Sequence, residues 1–150
     1  MARFTVHIHT PRSVEDAFDY LADLRNFAEW DPGVNGVEQI SGSGGGPDAV
    51  FDVRVKGFVG EMTLRYRTVE YERPERLVVR AETAALVSED TIAVADVPLG
   101  GSLVTYDAQL HLRHVLRVAD PLLSRGFEKV VERAAAGLER HLDGERVSTP

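Results

Sequence analysis

Two tyrosines stand in segments where polar and apolar residues alternate, as they do in a half-buried β-strand: Tyr66 in EMTLRYRTVEY and Tyr106 in LVTYDAQLHL. Each tyrosine shares its strand face with apolar residues. Those apolar residues are Met62, Leu64, Val104, Ala108 and Leu110. A phenol on an apolar wall can hydrogen-bond a carbonyl or hydroxyl group of a ligand, and it can donate a proton if its surroundings tune its acidity. Alternatively, both are core tyrosines whose hydroxyls have partners within the protein.

The chain's only tryptophan, Trp30, comes directly before Asp31-Pro32-Gly33. A Pro-Gly pair interrupts a helix, so Trp30 lies where the chain turns. A large aromatic residue at such a turn either closes one edge of the core or lines the mouth of a cavity. The sequence leaves both interpretations open.

His7 and His9 are two residues apart in RFTVHIH and project from the same strand face, and His111 joins them if its strand lies nearby. Three such side chains could hold a metal ion, but metal ligands also need neighbours that orient them. The apolar residues of RFTVHIH occupy the opposite face. We therefore expect the histidines to face water and predict no metal site.

Arg65, Arg67 and Arg80 alternate with apolar neighbours, which predicts that they face water on the convex side of a sheet. A β-bulge could invert the register, and an inward arginine could then bind an acidic head group of a ligand. The outward orientation is the favoured one, and the inward one stays open.

Several other kinds of chemistry lack their sequence signatures. The chain has no cysteine, and none of its serines stands in a Gly-x-Ser-x-Gly elbow, which argues against acyl hydrolysis through a nucleophilic side chain. The glycine-rich GSGGGP lacks a following Lys-Ser or Lys-Thr pair and connects two strands, so it does not fit a phosphate-binding loop. We predict no cofactor.

Size and charge limit the partners of the chain. With 150 residues, 43% of them hydrophobic, it suits one domain with a core of mainly Val, Leu and Ala. The net charge of -7 opposes binding to nucleic acid or to an anionic membrane, because both require a basic surface. No segment is apolar enough to span a bilayer, and MARFTVHIHTP does not resemble a signal peptide. We expect a cytoplasmic protein, and the sequence leaves open whether it is a monomer or a homodimer.

The order of periodic segments predicts an α+β fold. A first strand, RFTVHIH, precedes two short helices, one capped by Ser13 and one in NFAEW capped by Asn26. Six further strands with short connections follow, which favours an antiparallel meander. A long helix then begins at Asp120-Pro121 and reaches about Leu142. We predict a curved sheet of about seven strands with this helix on its concave face, followed by a frayed tail over residues 144–150.

The terminal helix is the one predicted element long enough to cover a concave sheet face. Its apolar side includes Phe127, Val130 and Ala134, and the small residues AAAG at 134–137 fill little volume where they face the sheet. A cavity between sheet and helix is therefore expected, although small residues also permit close packing. Our candidates for lining this cavity are Trp30, Met62, Leu64, Tyr66, Tyr106, Ala108, Leu110, Phe127, Val130 and Ala134.

Three segments carry a resemblance to a known superfamily: FDYLADLRNFAEWDPGV, GFVGEMTLRYRTVEYERPERLVVRAE and DPLLSRGFEKVVERAAAGLERHL. With the order of elements, they resemble the START-like (SRPBCC) superfamily of helix-grip proteins, particularly its bacterial polyketide cyclase/dehydrase-like and lipid-transport-like members. The resemblance covers about residues 2–143, and we take 1–143 as the ligand-binding domain. It implies a deep, mainly apolar pocket between the sheet and the long helix. These motifs are more specific for the fold than for an activity.

We therefore expect a protein that binds or carries a small hydrophobic molecule, such as a polyketide-like aromatic or a lipid. The first alternative is a polyketide cyclase or dehydratase, in which Tyr66, Tyr106 or an inward arginine transfers a proton or polarises a carbonyl group. The second alternative is a module that regulates a partner protein through its sheet or helix surface. The sequence leaves open whether the protein is an enzyme.

Overall fold

The computed structural model describes residues 2–57, 60–113 and 120–148, with residues 120–125 described through their backbone. The strands are β1 (Ala2–Thr10), β2 (Val34–Ser41), β3 (Val50–Gly57), β4 (Gly60–Glu72), β5 (Arg76–Glu82), β6 (Leu86–Asp96), β7 (Ser102–Leu112) and β8 (Glu145–Val147). The helices are α1 (Val14–Ala22), a 3-10 turn (Leu24–Asn26), α2 (Phe27–Trp30) and α3 (Asp120–His141). Within the described ranges the strands form one antiparallel sheet in the order β2-β3-β4-β5-β6-β7-β1-β8. This architecture confirms the predicted α+β helix-grip fold.

The two short helices follow β1, as predicted. Helix α1 begins at the Ser13 cap, whose hydroxyl accepts a hydrogen bond from the backbone N–H of Asp16 at 3.2 Å. The predicted Asn26 cap of α2 is wrong, because Asn26 has helical backbone angles and its side chain makes no capping bond. Its amide instead donates to the backbone oxygen of Tyr20 at 2.9 Å, which ties α2 to the end of α1.

A β-bulge in β4 bends the sheet around the core. The pairing of β4 with β5 shifts between Thr68 and Glu70, so Val69 points outward and is 55% exposed. Beyond the bulge the side-chain alternation is inverted, and the ring of Tyr71 packs edge-on against Phe18 at 5.4 Å between ring centroids. The bulge therefore supplies the curvature that a sheet needs to wrap a helix.

The three arginines of the central strands face outward. Arg65 and Arg67 precede the bulge and are both exposed. Arg65 pairs with Asp52 through two hydrogen bonds of 2.8 and 3.0 Å, and Arg80 pairs with Glu82 at 2.8 Å. The inward orientation that the sequence left open does not occur, because the register inverts only after Arg67.

Helix α3 packs its apolar stripe on the concave face of the sheet. The stripe repeats at helical spacing through Phe127, Val131, Ala134, Ala135 and Leu138. Val130 does not belong to it: its side chain is 49% exposed and lies close to Gly33. The predicted helix face was therefore too wide, since Val130 lies about 100° around the helix from Val131. No helix in the described ranges is long and apolar enough to cross a bilayer.

The sheet and α3 pack against each other through buried side chains. On β7, inward-facing Val104 has no exposed surface, whereas Ala108 keeps 5%. On α3, Leu138 has none, whereas Val131 keeps 7%. All four residues are therefore buried in the core between the sheet and α3.

Part of the predicted frayed tail is instead a strand. Residues of β8 pair with β1, with Val147 opposite His7 and Glu145 opposite His9. Arg146 donates hydrogen bonds to Glu132 and Glu139 of α3 and so anchors the strand. Three residues are too few to give a readable period in the sequence, and their pairing depends on an edge of β1 that only the folded sheet provides.

Candidate ligand-binding site

A buried carboxyl group lies on the concave face of the sheet. Asp90 projects inward from β6 and is 5% exposed. Its Oδ2 accepts a hydrogen bond of 2.7 Å from the hydroxyl of Tyr106 on the neighbouring strand β7. Tyr106 lies opposite Ile92 on β6, and Asp90 comes two residues before Ile92 on the same strand face. The phenol therefore reaches diagonally across to Asp90. No described donor lies within hydrogen-bonding distance of Oδ1 of Asp90.

Tyr66 makes a second buried polar contact on the same face. Its hydroxyl lies 2.7 Å from the Oγ of Ser88, two strands away on β6. In the register, Tyr66 lies opposite Ala81 and Ala81 opposite Ser88. The small Ala81 side chain leaves room for the phenol to extend over β5. The two tyrosines predicted from the sequence thus both face the interior and both have a polar partner.

Aromatic rings connect these two polar pairs. Trp30 stacks on Phe27 with ring centroids 4.6 Å apart and meets the ring of Tyr106 edge-on at 5.6 Å. Phe27 in turn lies 6.4 Å from the ring of Tyr66. Trp30 itself is buried. The turn that follows it is fixed by Asp31, whose Oδ1 accepts a hydrogen bond of 2.8 Å from the backbone N–H of Gly33.

Two carboxyl groups of this region titrate near neutral pH. Burial raises the pKa of Asp90 to about 7 against the lowering effect of the Tyr106 hydrogen bond, and the negative charge of Asp31 adds to the rise. Burial likewise raises the pKa of Asp31 to about 6, offset in part by the N–H of Gly33. Burial also raises the pKa of Tyr66 and of Tyr106 above the ordinary range. The phenols therefore stay protonated while Asp90 changes its charge near pH 7.

One buried hydroxyl on the concave face has no described partner. Thr68 lies opposite Val79, which in turn lies opposite Asp90. Its Oγ1 is inaccessible to solvent and forms no hydrogen bond with described residues. An unsatisfied buried hydroxyl costs free energy unless another group binds it.

The other predicted site residues occupy a range of positions. Leu64, Ala108 and Ala134 are buried in the same core cluster as both tyrosines and Trp30. Met62, Leu110 and Phe127 are partly exposed, and Val130 lies beside the turn at Gly33. Whether these residues line a ligand cavity stays a prediction.

The polar groups between the two tyrosines were not predicted from the sequence. Ser88 and Asp90 share a strand face with Ile92 and Val94, which is a readable signal of an inward position. Neither Ser88 nor Asp90 was among the candidates taken from the sequence. Asp31 had no such signal, because an aspartate before Pro-Gly is ordinary turn chemistry.

The histidines lie outside this site, and His111 is far from His7 and His9. His7 bonds Thr105 at 3.0 Å, and His9 bonds the backbone oxygen of Gly100 at 3.2 Å. His111 lies six residues beyond Thr105 along β7, about 20 Å away. Among the described residues no three metal-binding side chains are grouped together. An open surface cleft lies elsewhere, at the end of α3, and is lined by Ala136, Glu139, Arg140, Asp143 and Gly144.

A family model described as polyketide cyclase / dehydrase and lipid transport matches residues 1–143. The chain belongs to this family. The match confirms the resemblance inferred from the three sequence segments and covers both buried polar pairs. No curated protein matches the sequence of this polyketide cyclase / dehydrase and lipid transport family member.

Solved structures share the fold of this family member at low sequence identity. A START superfamily protein from Mycobacterium smegmatis has a TM-score of 0.77 and 12% identity, with 95% of this chain and 98% of that chain covered. The di-domain ARO/CYC BexL from the BE-7585A biosynthetic pathway has a TM-score of 0.71 and 16% identity, with 95% of this chain and 50% of that chain covered. Ginseng major latex-like protein 151 from Panax ginseng has a TM-score of 0.69 and 11% identity, with 94% and 97% covered. At these identities the likeness concerns the fold alone.

Proposed function

We propose that the protein binds or carries a small hydrophobic molecule between the concave face of the sheet and α3. The observation that carries this proposal is the buried hydroxyl of Thr68, which has no described partner on a mainly apolar concave face. A buried polar group without a partner costs free energy, so binding of a ligand that hydrogen-bonds it would be favoured. The chain belongs to a family described as polyketide cyclase / dehydrase and lipid transport, which supports a hydrophobic ligand.

Such a ligand would gain its affinity mainly from apolar burial. Leu64, Ala108 and Val131 supply aliphatic surface, while Trp30 and Tyr106 supply aromatic surface. Burial contributes about 25 cal/mol per Å² of apolar surface removed from water, and it gives a negative heat-capacity change on binding. The buried hydroxyl and carboxyl groups then orient a polar group of the ligand.

Replacing Ala134 with phenylalanine tests this proposal. Ala134 lies on the apolar stripe of α3 next to Val131, so a phenyl ring there would occupy ligand volume. We expect the Ala134→Phe variant to lose at least about tenfold in affinity for an uncharged naphthalene probe, measured by calorimetry. Thermal melts of the same samples should show that the variant still folds.

The matched control is Ala136→Phe, two residues along the same helix and in the surface cleft. It should leave probe binding unchanged. If Ala136→Phe blocks binding and Ala134→Phe does not, the ligand binds in the surface cleft and the proposal is wrong. It is equally wrong if wild-type protein binds no hydrophobic probe.

A second candidate function is that of a cyclase or dehydratase acting on the bound molecule. The hydrogen bond between Tyr106 and Asp90 favours it, because a carboxyl group titrating at about pH 7 can accept a proton near neutral pH. Tyr106, whose phenol stays protonated, could hydrogen-bond a carbonyl oxygen that gains negative charge. The di-domain ARO/CYC BexL shares this fold, which supports the candidate at the level of architecture.

An aromatic β-hydroxy ketone provides a test of this second candidate, because loss of water forms a conjugated enone with strong ultraviolet absorption. We expect wild-type protein to accelerate enone formation, with a rate that rises as pH passes through 7. The Asp90→Asn variant should lose about a hundredfold or more in rate. A wild-type rate equal to that of buffer would leave the carrier role as the better assignment.

A further inference from the structure

The described groups on the concave face are acidic or neutral. Asp90 is the ionisable acid at its centre, and Asp31 acts on it from the end of α2. The described arginines of β3, β4 and β5 lie on the convex side. From α3, the described inward residues Val131, Ala134, Ala135 and Leu138 carry no charge. A ligand between sheet and helix therefore meets negative charge without a described positive counter-charge.

Asp90 has a second carboxyl oxygen without a described hydrogen bond. Its Oδ2 is held by Tyr106, while Oδ1 forms no hydrogen bond with a described residue, and Asp90 as a whole is 5% exposed. Buried carboxylates are stabilised by a positive partner or by several hydrogen bonds, and this one has a single bond. Among the described residues, no group both donates a hydrogen bond to Oδ1 and carries positive charge.

The aromatic rings around Asp90 suit the same group. Tyr106 bonds Asp90 and touches the edge of Trp30, and Trp30 stacks on Phe27, which adjoins Tyr66. Aromatic faces attract cations through their quadrupole, most strongly when the cation is removed from water. A carboxyl group beside several aromatic rings is a recognition site for an ammonium group rather than for a carboxylate or a phosphate.

We propose that the bound hydrophobic molecule is an amine, held as its ammonium cation between Oδ1 of Asp90 and the rings of Trp30 and Tyr106. This inference rests on the proposed binding function and specifies the chemical class of its ligand. The ammonium group supplies a donor that the described residues do not offer Oδ1 of Asp90, and the hydrophobic part of the ligand packs against the apolar side chains of the concave face and α3. The buried hydroxyl of Thr68 lies in the same cross-strand row and can accept or donate a further hydrogen bond.

Four probes on one ring system separate this inference from the proposed function: naphthylmethylamine, naphthylmethanol, naphthoate and methylnaphthalene. We expect the amine to bind at least about tenfold more tightly than methylnaphthalene, and naphthoate to bind more weakly than either. Calorimetric titration at pH 7 measures all four. If methylnaphthalene binds and the amine binds no better, the amine inference is overturned while the proposed function stands. If none of the probes binds, both are overturned.

Substitution of Asp90 tests whether this residue causes the preference for the amine over methylnaphthalene. In the Asp90→Asn variant the ratio of amine affinity to methylnaphthalene affinity should fall to about one, since the amide carries no charge. The matched control, Asp52→Asn, removes a carboxyl group on the convex face that pairs with Arg65. It should leave the ratio at its wild-type value. An unchanged ratio in Asp90→Asn would contradict the inference.

Proton release gives an independent readout on the wild-type protein. Burial raises the pKa of Asp90 to about 7, so a part of the molecules carries a proton on this group at pH 7. An ammonium group bound beside it favours the ionised form, so amine binding should release protons, fewer than one for each amine bound. Calorimetry in two buffers of different ionisation enthalpy measures that number. Release of no protons, or uptake of protons, would show that the amine does not bind beside Asp90.

Discussion

Replacing Gly137 with alanine is expected to lower the free energy of unfolding by about 2–4 kcal/mol. In an exposed helix the same change stabilises by about 1 kcal/mol, because glycine is a poor helix former. Here a Cβ on Gly137 would overlap the backbone carbonyl oxygen of Trp30. The backbone of α2 cannot yield as a flexible side chain would, so α2 and α3 must separate. The unfavourable contact outweighs the helix propensity.

Chemical denaturation measures this change, and the single tryptophan reports its cause. Because Trp30 is the only tryptophan, its fluorescence emission should move to longer wavelength in Gly137→Ala as α2 shifts away from the core. Ala136→Gly is the control within the same helix and should cost about 1 kcal/mol through helix propensity alone. A Gly137→Ala variant as stable as wild type would show that α2 does not rest on α3 at this residue.

The alternation of β4 and β7 made the fold predictable. An apolar period of two residues identifies inward positions without knowledge of the partner strand, which is why Tyr66 and Tyr106 were expected on an inner face. Cross-strand neighbours are different, because they depend on register. That Tyr66 reaches Ser88 over Ala81 follows from the pairing of three strands, and no local pattern in the sequence encodes it.

The inward position of Asp90 was not predicted from the sequence. A charged residue at the start of an apolar segment is usually taken to mark a strand end, and Asp90 was not considered as an inward residue. The β6 strand instead begins at Leu86, which makes Asp90 a mid-strand position. The error at Val130 has a similar origin: a helix stripe can be assigned one residue too wide when its packing partner is unknown.

A carboxyl group kept in the core makes stability depend on pH in a direction opposite to that of most aspartates. The ordinary pKa of aspartate is about 3.9, whereas that of Asp90 in the folded protein is about 7. Between these values the folded state holds a proton that the unfolded state has released. Raising the pH through this window therefore lowers the free energy of unfolding, and above pH 7 the loss is complete. Asp31, with a pKa of about 6, acts in the same direction over a narrower window.

We expect Asp90→Asn to remove most of this pH dependence. The amide keeps the shape of the side chain and can accept the Tyr106 hydrogen bond, but it never ionises. The difference in unfolding free energy between variant and wild type should be small near pH 4 and should grow in favour of the variant, by about 2–4 kcal/mol, by pH 8. Urea denaturation at pH intervals between these limits measures it.

The convex-face variant Asp52→Asn provides the contrast for this experiment. The hydrogen bond and charge of Arg65 lower the pKa of Asp52, so its stabilising contribution is present above the ordinary pKa and is lost only as the pH falls below it. Its difference from wild type should therefore stay constant from pH 5 to pH 8. A parallel, flat difference for Asp90→Asn would mean that Asp90 is ionised in the folded protein throughout this range. The inward carboxyl group would then have a positive partner that the described residues do not include, and the amine specificity inferred from its absence would be wrong.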